Sequence, residues 1–336
     1  MVSDMKIVFG AMSFGKPGTE TSRITTVEEC TEIIDLFTSR GYTELDTARI
    51  YGEGTSEELL GELNWQARGI TMETKLYPSA NIPAFTTMPR YTHHKGDVRR
   101  GLMDSLKALK ADKIDMFYLH GPDRTVDFAV TLSEVNDLYN EGYFSRFGIS
   151  NYAAWEVAYI CETCEKNNWI KPSVYQGIYN AVTRGVELEL IPCLRKYNMS
   201  LYIFNPLAGG LLTGKYTRDT TDFEAGSRFD NNRFAGKMAR GRYWNDAFFD
   251  AMEQITPVAK AHGLTEAECV LRWLVHHSAL KKECGDAVIL GASSIKYLKS
   301  NLDDVEKEPL PEAVVKAIDA GWAAVQARGG VIKYFH

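Results

Sequence analysis

The stretch LDTARIYGEG, residues 45–54, closes an apolar run with an acid, Asp46, and sets a phenol, Tyr51, five positions later on what reads as a turn. Two further groups end the next two apolar runs, Lys75 in GITMETKL and His120 in KIDMFYLHGP. These four make a chemically coherent set. A phenol with a free pKa of about 10 is a weak acid at neutral pH, and a neighbouring ammonium stabilises its phenolate and lowers that pKa. Lys75 is expected to do this to Tyr51. A lysine left charged in a partly buried site is costly unless paired, and Asp46 is placed to pair with it. His120 can donate a hydrogen bond to a carbonyl oxygen or pass a proton through the tyrosine. Taken singly, each has an ordinary explanation: a strand-end aspartate caps a turn, a lysine or tyrosine there is solvated, a histidine packs in a wall. Four complementary types at three consecutive strand ends point instead to acid–base chemistry on a carbonyl. Arg49 and Glu53, in the same stretch, receive no role and are expected to face solvent.

The elements that must position these groups follow from hydrophobic periodicity. KIVFGAMSF reads as a strand and VEECTEIIDLFTSRG as a helix closing on Gly41; YTELDTA is a second strand, and SEELLGELNWQA a helix opening at Ser56. GITMETKL and a Pro-rich loop precede a helix, DVRRGLMDSLKALK, for which Asp97 is the expected cap. KIDMFYLHGP and TVDFAVTLSEVNDLYNEG form the next pair, and FSRFGISN, SVYQGIYN, LYIFNPLAGG and DAVILGASS supply four more strands, each followed by a helical stretch. Eight alternating β/α units without an intervening linker predict a single-domain α/β fold over residues 1–336, a closed (β/α)8 TIM barrel. An open doubly wound sheet would carry a G-x-G-x-x-G after an early strand, and none is present. In such a barrel the functional residues sit where strands end, which adds Ser150, Asn151, Gln176 and Asn205 to the first four. Residues 215–247 after the seventh strand form a long arginine-rich loop, of a length more often functional than idle. The tail ARGGVIKYFH either frays or folds over the barrel mouth.

Composition narrows the function classes. The chain of 336 residues is 45% hydrophobic and 24% charged, which suits a folded globular protein. A net charge of −6 argues against nucleic acid as a partner, and no apolar run reaches the roughly 18 residues a bilayer span needs. MVSDMKIVFG has no signal-peptide core, so a cytoplasmic location is expected. The six cysteines lack framework spacing and are expected to be reduced. Cys161 and Cys164 form a CxxC about two turns into a helical pattern, where packing explains them better than redox chemistry. The adjacent pairs His93/His94 and His276/His277 point in different directions, so no metal is assigned.

LDTARIYGEGTSEELLGEL, METKL, IDMFYLHGPD, FGISNYAAWEV, VYQGIYNAVTRGVE, FNPLAGGLLTGKY and AVILGASS, in this order, resemble the aldo-keto reductases, and more narrowly the aflatoxin-aldehyde (succinic semialdehyde) reductase subfamily. The resemblance implies that Asp46, Tyr51, Lys75 and His120 are a catalytic tetrad with Tyr51 as proton donor. It further implies that Ser150, Asn151 and Gln176 hold a nicotinamide. Asn205, Pro206, Leu207, Gly209, Gly210, Leu212, Gly214 and Lys215 would lie along the cofactor pyrophosphate, with Arg228 a further contact. Ser293, Ser294 and Asn301 would meet the adenosine end and its 2′-phosphate, so NADPH is the implied cofactor. The residues agree independently at one point: a strand gives way to a helix at Ser293 and Ser294, where free N–H groups and hydroxyls, with Lys296 and Lys299 nearby, suit an anion. Arg242 matches a position that contacts a substrate carboxylate, as a forked guanidinium can. Relatives carry a tyrosine where Ala239 stands and end in arginine where this chain has His336, which could meet an anion when protonated. A small-molecule aldehyde or dicarbonyl is the implied substrate, a homodimer the implied assembly. The alternative from another class is an NADPH-binding regulatory subunit like the potassium-channel β subunits. Such a module would favour an N-terminal extension, whereas the first strand begins within a few residues of Met1.

Overall fold

The computed structural model of the protein describes residues 5–80, 82 and 88–336. The first four residues of the N-terminal reading and most of the Pro-rich loop after the third strand lie outside the described residues. Strand β1 (Lys6–Gly10) pairs in parallel with β2 (Glu44–Asp46) on one side and with β8 (Ala287–Gly291) on the other, which closes the sheet. Between β2 and β8 run β3 (Thr71–Leu76), β4 (Ile114–Leu119), β5 (Phe144–Ser150), β6 (Val174–Ile178) and β7 (Ser200–Phe204), each parallel to its neighbours. The expected eight-stranded (β/α)8 barrel is the fold observed.

Helices wrap the outside because each offers one apolar face to the strands. They are α1 (Val27–Ser39), α2 (Thr55–Gly61), α3 (Asp97–Ala108), α4 (Phe128–Asn140), α5 (Ala154–Asn167), α6 (Leu190–Lys196), α7 (Phe234–Tyr243), α8 (Asp246–Ala261), α9 (Glu266–His276), α10 (Ile295–Val305) and α11 (Glu312–Ala327). In α1, for example, Cys30, Ile33, Ile34 and Phe37 are buried at helical spacing, and Thr26 with Glu29 closes a capping box at its start. A barrel interior is ordinarily filled by branched apolar side chains. Here Val8, Met116, Val174, Ala287 and Ile289 fill part of it beside Tyr118 and Tyr202, and those two phenols reach Glu73 and Glu44. The inner wall is therefore strongly polar along β2 and β3.

Several expected boundaries move. The first strand stops at Gly10 rather than Phe14, because Ala11–Ser13 coil into a 3-10 turn fixed by the Ser13 hydroxyl donating to Ala292 O at 2.5 Å. Asp97 is not the cap of α3 but its first residue: Gly96, at φ 88°, precedes it, and the carboxylate accepts from Thr92 N at 2.9 Å. The helix after β2 opens at Thr55, and Ser56 turns inward to donate to Ala11 O at 3.0 Å. The arginine-rich segment is not structureless, since α7 lies within it. Cys161 and Cys164 are buried on α5, and burial pushes both thiols up to about 12, so they are packing groups. No helix of the described residues is long and apolar enough to cross a membrane.

Candidate active site

Asp46 ends β2, Lys75 is the penultimate residue of β3 and His120 follows β4, so three neighbouring strands deliver three groups to one rim. Lys75 has no solvent exposure; its ammonium donates to Asp46 Oδ1 and, at 2.7 Å, to Thr47 O. Tyr51 comes in from the turn after β2, its ring centroid 5.1 Å from Lys75 Nζ and edge-on to the His120 ring at 5.8 Å. All four sequence-predicted groups are therefore brought together.

The charge states follow from burial and neighbours. Burial alone would lower the Lys75 ammonium, but Asp46 and Tyr51 more than reverse this and it stays charged. Burial raises the Tyr51 phenol above 10.0; Lys75 pulls it down and Asp46 pushes it back, and burial wins. This corrects the expectation that Lys75 brings Tyr51 below its ordinary value: burial is invisible in sequence, and it keeps the hydroxyl protonated at neutral pH. His120 is held well below 6.5 by burial first and Lys75 next, then His336 and His93, so it is a neutral imidazole. A protonated phenol beside a neutral imidazole can donate to one developing oxyanion.

The turn that carries Tyr51 is held by an ion pair that the sequence reading missed. Arg49, expected to be exposed, is buried and pairs with Glu57 of α2, whose other oxygen accepts from the Thr74 hydroxyl at 2.5 Å. Arg49 N also donates to Lys75 O at 3.0 Å. Gly54, at φ 93°, lets the guanidinium pass: a Cβ there would lie 2.0 Å from Arg49 Nη2. Glu53 is half-buried rather than solvent-facing. An eight-residue spacing between an arginine and a glutamate across a turn carries no periodic signal that could have revealed the pair.

The next ring of predicted residues is partly wired to the tetrad. Gln176 of β6 donates to Asp46 Oδ1 at 2.7 Å. Asn151, at φ 64°, donates to His120 O and to Ser150 Oγ, each at 2.9 Å. Asn205, at φ 57°, donates to the Tyr243 hydroxyl at 3.2 Å. Beyond it Pro206 and Leu207 lead into a 3-10 segment, Ala208–Thr213, in which Leu212 is buried and Gly209 and Gly210 are successively left-handed at φ 67° and 100°. Gly214 caps that segment and Lys215 is exposed, 3.6 Å from Glu224. Ser294 caps α10, accepting from Tyr297 N at 3.4 Å; Ser293 beside it is exposed and Asn301 is buried about two turns on. Among the described residues no hydrogen bond joins these three to the tetrad.

A dinucleotide cofactor fits this rim on one observation in particular. Arg228 lies close enough to Tyr51 to influence its titration, and loss of solvation lowers its guanidinium more than the neighbouring Tyr51 and Glu20 raise it. A half-buried cation with no ion pair among the described residues, beside Gly209 where backbone can approach closely, suits a diphosphate. On the opposite side, the tail folds over the mouth. Tyr334 is buried and accepts from Ala154 N at 3.1 Å, and His336 N donates to Asn151 O at 3.1 Å. The His336 ring stands 6.3 Å from that of Tyr77, which packs edge-on against His120 at 5.6 Å. Burial, with Arg242 and Arg124 nearby, lowers His336 to about 4, so it is neutral at pH 7 and does not supply the expected cation. Arg242 lies in the last turn of α7.

The Aldo/keto reductase family model matches residues 6–323. This chain belongs to the aldo/keto reductase family. It is an oxidoreductase, and its relatives within the family include aflatoxin aldehyde reductases. It is 49% identical over 333 residues to Aldo-keto reductase pigE of Monascus ruber, covering 98% of this chain and 97% of that one. It is 43% identical over 297 residues to human Aflatoxin B1 aldehyde reductase member 2, covering 87% and 81%. Among solved structures, an aldo/keto reductase from Klebsiella pneumoniae, in complex with NADP and acetate, shares the fold with a TM-score of 0.65 at 21% identity over 94% of this chain and 90% of that one.

Proposed function

We propose that this aldo/keto reductase reduces aldehydes and dicarbonyls to alcohols with NADPH. The observation that carries the reading is the convergence of a protonated Tyr51, a buried Lys75 locked to Asp46, and a neutral His120 at one rim. When bound, the cofactor supplies a hydride. Arg228 and the Asn205–Lys215 segment would hold its diphosphate, Ser150, Asn151 and Gln176 its nicotinamide end, and Ser293, Ser294 and Asn301 its adenosine end. Tyr51 gives its hydroxyl proton to the carbonyl oxygen, Lys75 stabilises the phenolate that remains, and Asp46 keeps Lys75 in place. His120 fixes the carbonyl by a hydrogen bond.

Tyr51→Phe is expected to lower aldehyde turnover by about 100-fold or more, the scale of a lost general acid. Quenching of protein fluorescence by NADPH should survive the change. Equal turnover in the variant would remove Tyr51 from the reaction, and an active-site fold that binds NADPH without turning over any aldehyde would favour the regulatory-subunit alternative. Arg242→Ala should raise KM for a carboxylated aldehyde far more than for a neutral aryl aldehyde; equal effects would remove the carboxylate clamp.

A further inference from the structure

Below the tetrad, the barrel axis carries a second set of charged groups that this reaction does not use. Lys75 pairs with Asp46, Lys6 with Glu44, and Arg146 with Asp115. Three cations and three carboxylates are thereby matched. Glu73, with no solvent exposure, is the carboxyl left over. Among the described residues the one cation within ion-pair reach is Arg146, whose Nη2 lies 3.7 Å from Glu73 Oε1 and is already engaged by Asp115 and, at 3.1 Å, by Glu44. Glu73 Oε1 is buried without a hydrogen-bond partner, and Oε2 accepts from the Tyr118 hydroxyl at 3.2 Å.

Glu73 and Glu44 crowd the same guanidinium nitrogen, Arg146 Nη2, at 3.7 and 3.1 Å, and two buried carboxylates so close do not both stay ionised, so one proton is retained by the pair. Glu73 keeps it. Burial and then the neighbouring Glu44 push Glu73 well above 4.5, whereas burial of Glu44 is outweighed by the Glu73 proton, Lys6 and Arg146, which hold it at about 2. The position of this acid is specific. It faces Asp46 across the β2–β3 ladder and stands two residues before Lys75 on the same face of β3. Tyr118, in register with Lys75, has the ammonium 5.8 Å from its ring centroid and its hydroxyl on Glu73.

We propose that Glu73 is a positioning acid of this site: the Glu73–Glu44 pair holds one proton in the barrel axis, and the charge of that pair sets, through Asp46 and Lys75, how readily Tyr51 releases its own proton. The catalytic consequence rests on the reductase reading above; the stored proton does not. Facing the pair are Lys6 from β1, Asp46 from β2, Lys75 from β3, Tyr118 from β4, Arg146 from β5 and Tyr202 from β7. A cavity lined by Lys6, Tyr42, Glu44, Lys282 and Asp286 reaches Glu44, the member of the pair nearer solvent. While Glu73 is neutral, Lys75 and Asp46 balance beneath Tyr51. Loss of the Glu73 proton at alkaline pH adds a negative charge one layer below, binds Lys75 more tightly and makes the phenol a weaker acid.

The test is direct. Wild-type protein at neutral pH should show the infrared carbonyl stretch of a buried protonated carboxylic acid, and Glu73→Gln should lack it. Tyr51, followed as the tyrosinate absorbance lost in Tyr51→Phe, should titrate at lower pH in Glu73→Gln than in wild type. In the NADPH-dependent aldehyde assay the alkaline limb of kcat/KM, set in wild type by Glu73 ionising before Tyr51, should move to higher pH in Glu73→Gln, where only the later ionisation of Tyr51 remains. It should move to lower pH in Glu44→Gln, where Lys6 and Arg146 are freed to draw the proton off Glu73. If the acid band is absent from wild type, or if the Tyr51 titration is the same in both proteins, the inference is overturned. A protein that shows both spectroscopic effects but reduces no aldehyde would overturn the reductase reading and leave the inference standing.

Discussion

At the residue scale, the convergence of the four groups proposed to react was legible because strand-end position and residue type are both written in the sequence, whereas their protonation states were not. The phenol of Tyr51 illustrates the difference: a nearby lysine is a sequence-level argument for lowering it, and burial, which raises it, exists only in three dimensions. The same holds for His336, whose imidazole is kept neutral by burial and by two arginines distant in sequence. The Lys75–Asp46 pair separates stability from chemistry experimentally. Both side chains are buried, so Lys75→Met leaves Asp46 charged and uncompensated and is expected to cost about 3–5 kcal/mol of stability. Adding Asp46→Asn should return most of that loss, because a neutral amide beside Met needs no counter-ion, while activity stays at the Lys75→Met level. Urea unfolding and aldehyde turnover on the same samples check this, and parallel recovery of both would contradict the separate roles.

At the element scale, strand and helix alternation was readable throughout, and element ends were not. Asp97 was the expected cap and is displaced by Gly96 because its carboxylate is used by Thr92 and Arg100. The helix α7 was hidden inside an arginine-rich run that carries Gly236 and Gly241; Gly236 is there because a side chain would collide with Asp230 O. The turn between β2 and α2 is the element on which the site depends most, since it aims Tyr51. Gly54→Ala puts a methyl into the Arg49 guanidinium and forces a left-handed alanine, so the Arg49–Glu57 pair must open. The expected result is a stability loss of about 1–3 kcal/mol with a disproportionate fall in kcat and little change in NADPH affinity, since the segments proposed to hold the cofactor follow other strands. A variant that binds NADPH more weakly at unchanged kcat would show that the turn serves the cofactor rather than Tyr51.

At the scale of the whole molecule, eight β/α units with no dinucleotide fingerprint indicated a closed barrel, but nothing in the sequence announced that its axis would be charged rather than apolar. That axis and a buried histidine give the stability opposite dependences on pH. His93 is 1% exposed, and burial, partly offset by Asp123 and the Leu76 carbonyl, lowers it from 6.5 to about 4. The unfolded chain takes up a proton there below about pH 6.5 and the folded chain does not until about pH 4, so stability is full above this window and falls as pH drops through it. The loss by pH 4 is expected to be about 3 kcal/mol from this group, and His93→Gln should flatten the acid side of a urea-unfolding profile by that order. Glu73 works in the other direction: its folded carboxyl is raised above 4.5, so its contribution is fully present below that value and is lost as pH rises. Glu73→Gln should therefore gain on wild type in stability from neutral to alkaline pH, with the gap widening as pH increases until the folded carboxyl itself ionises. A gap that stays constant with pH would mean that Glu73 is already ionised in the folded protein.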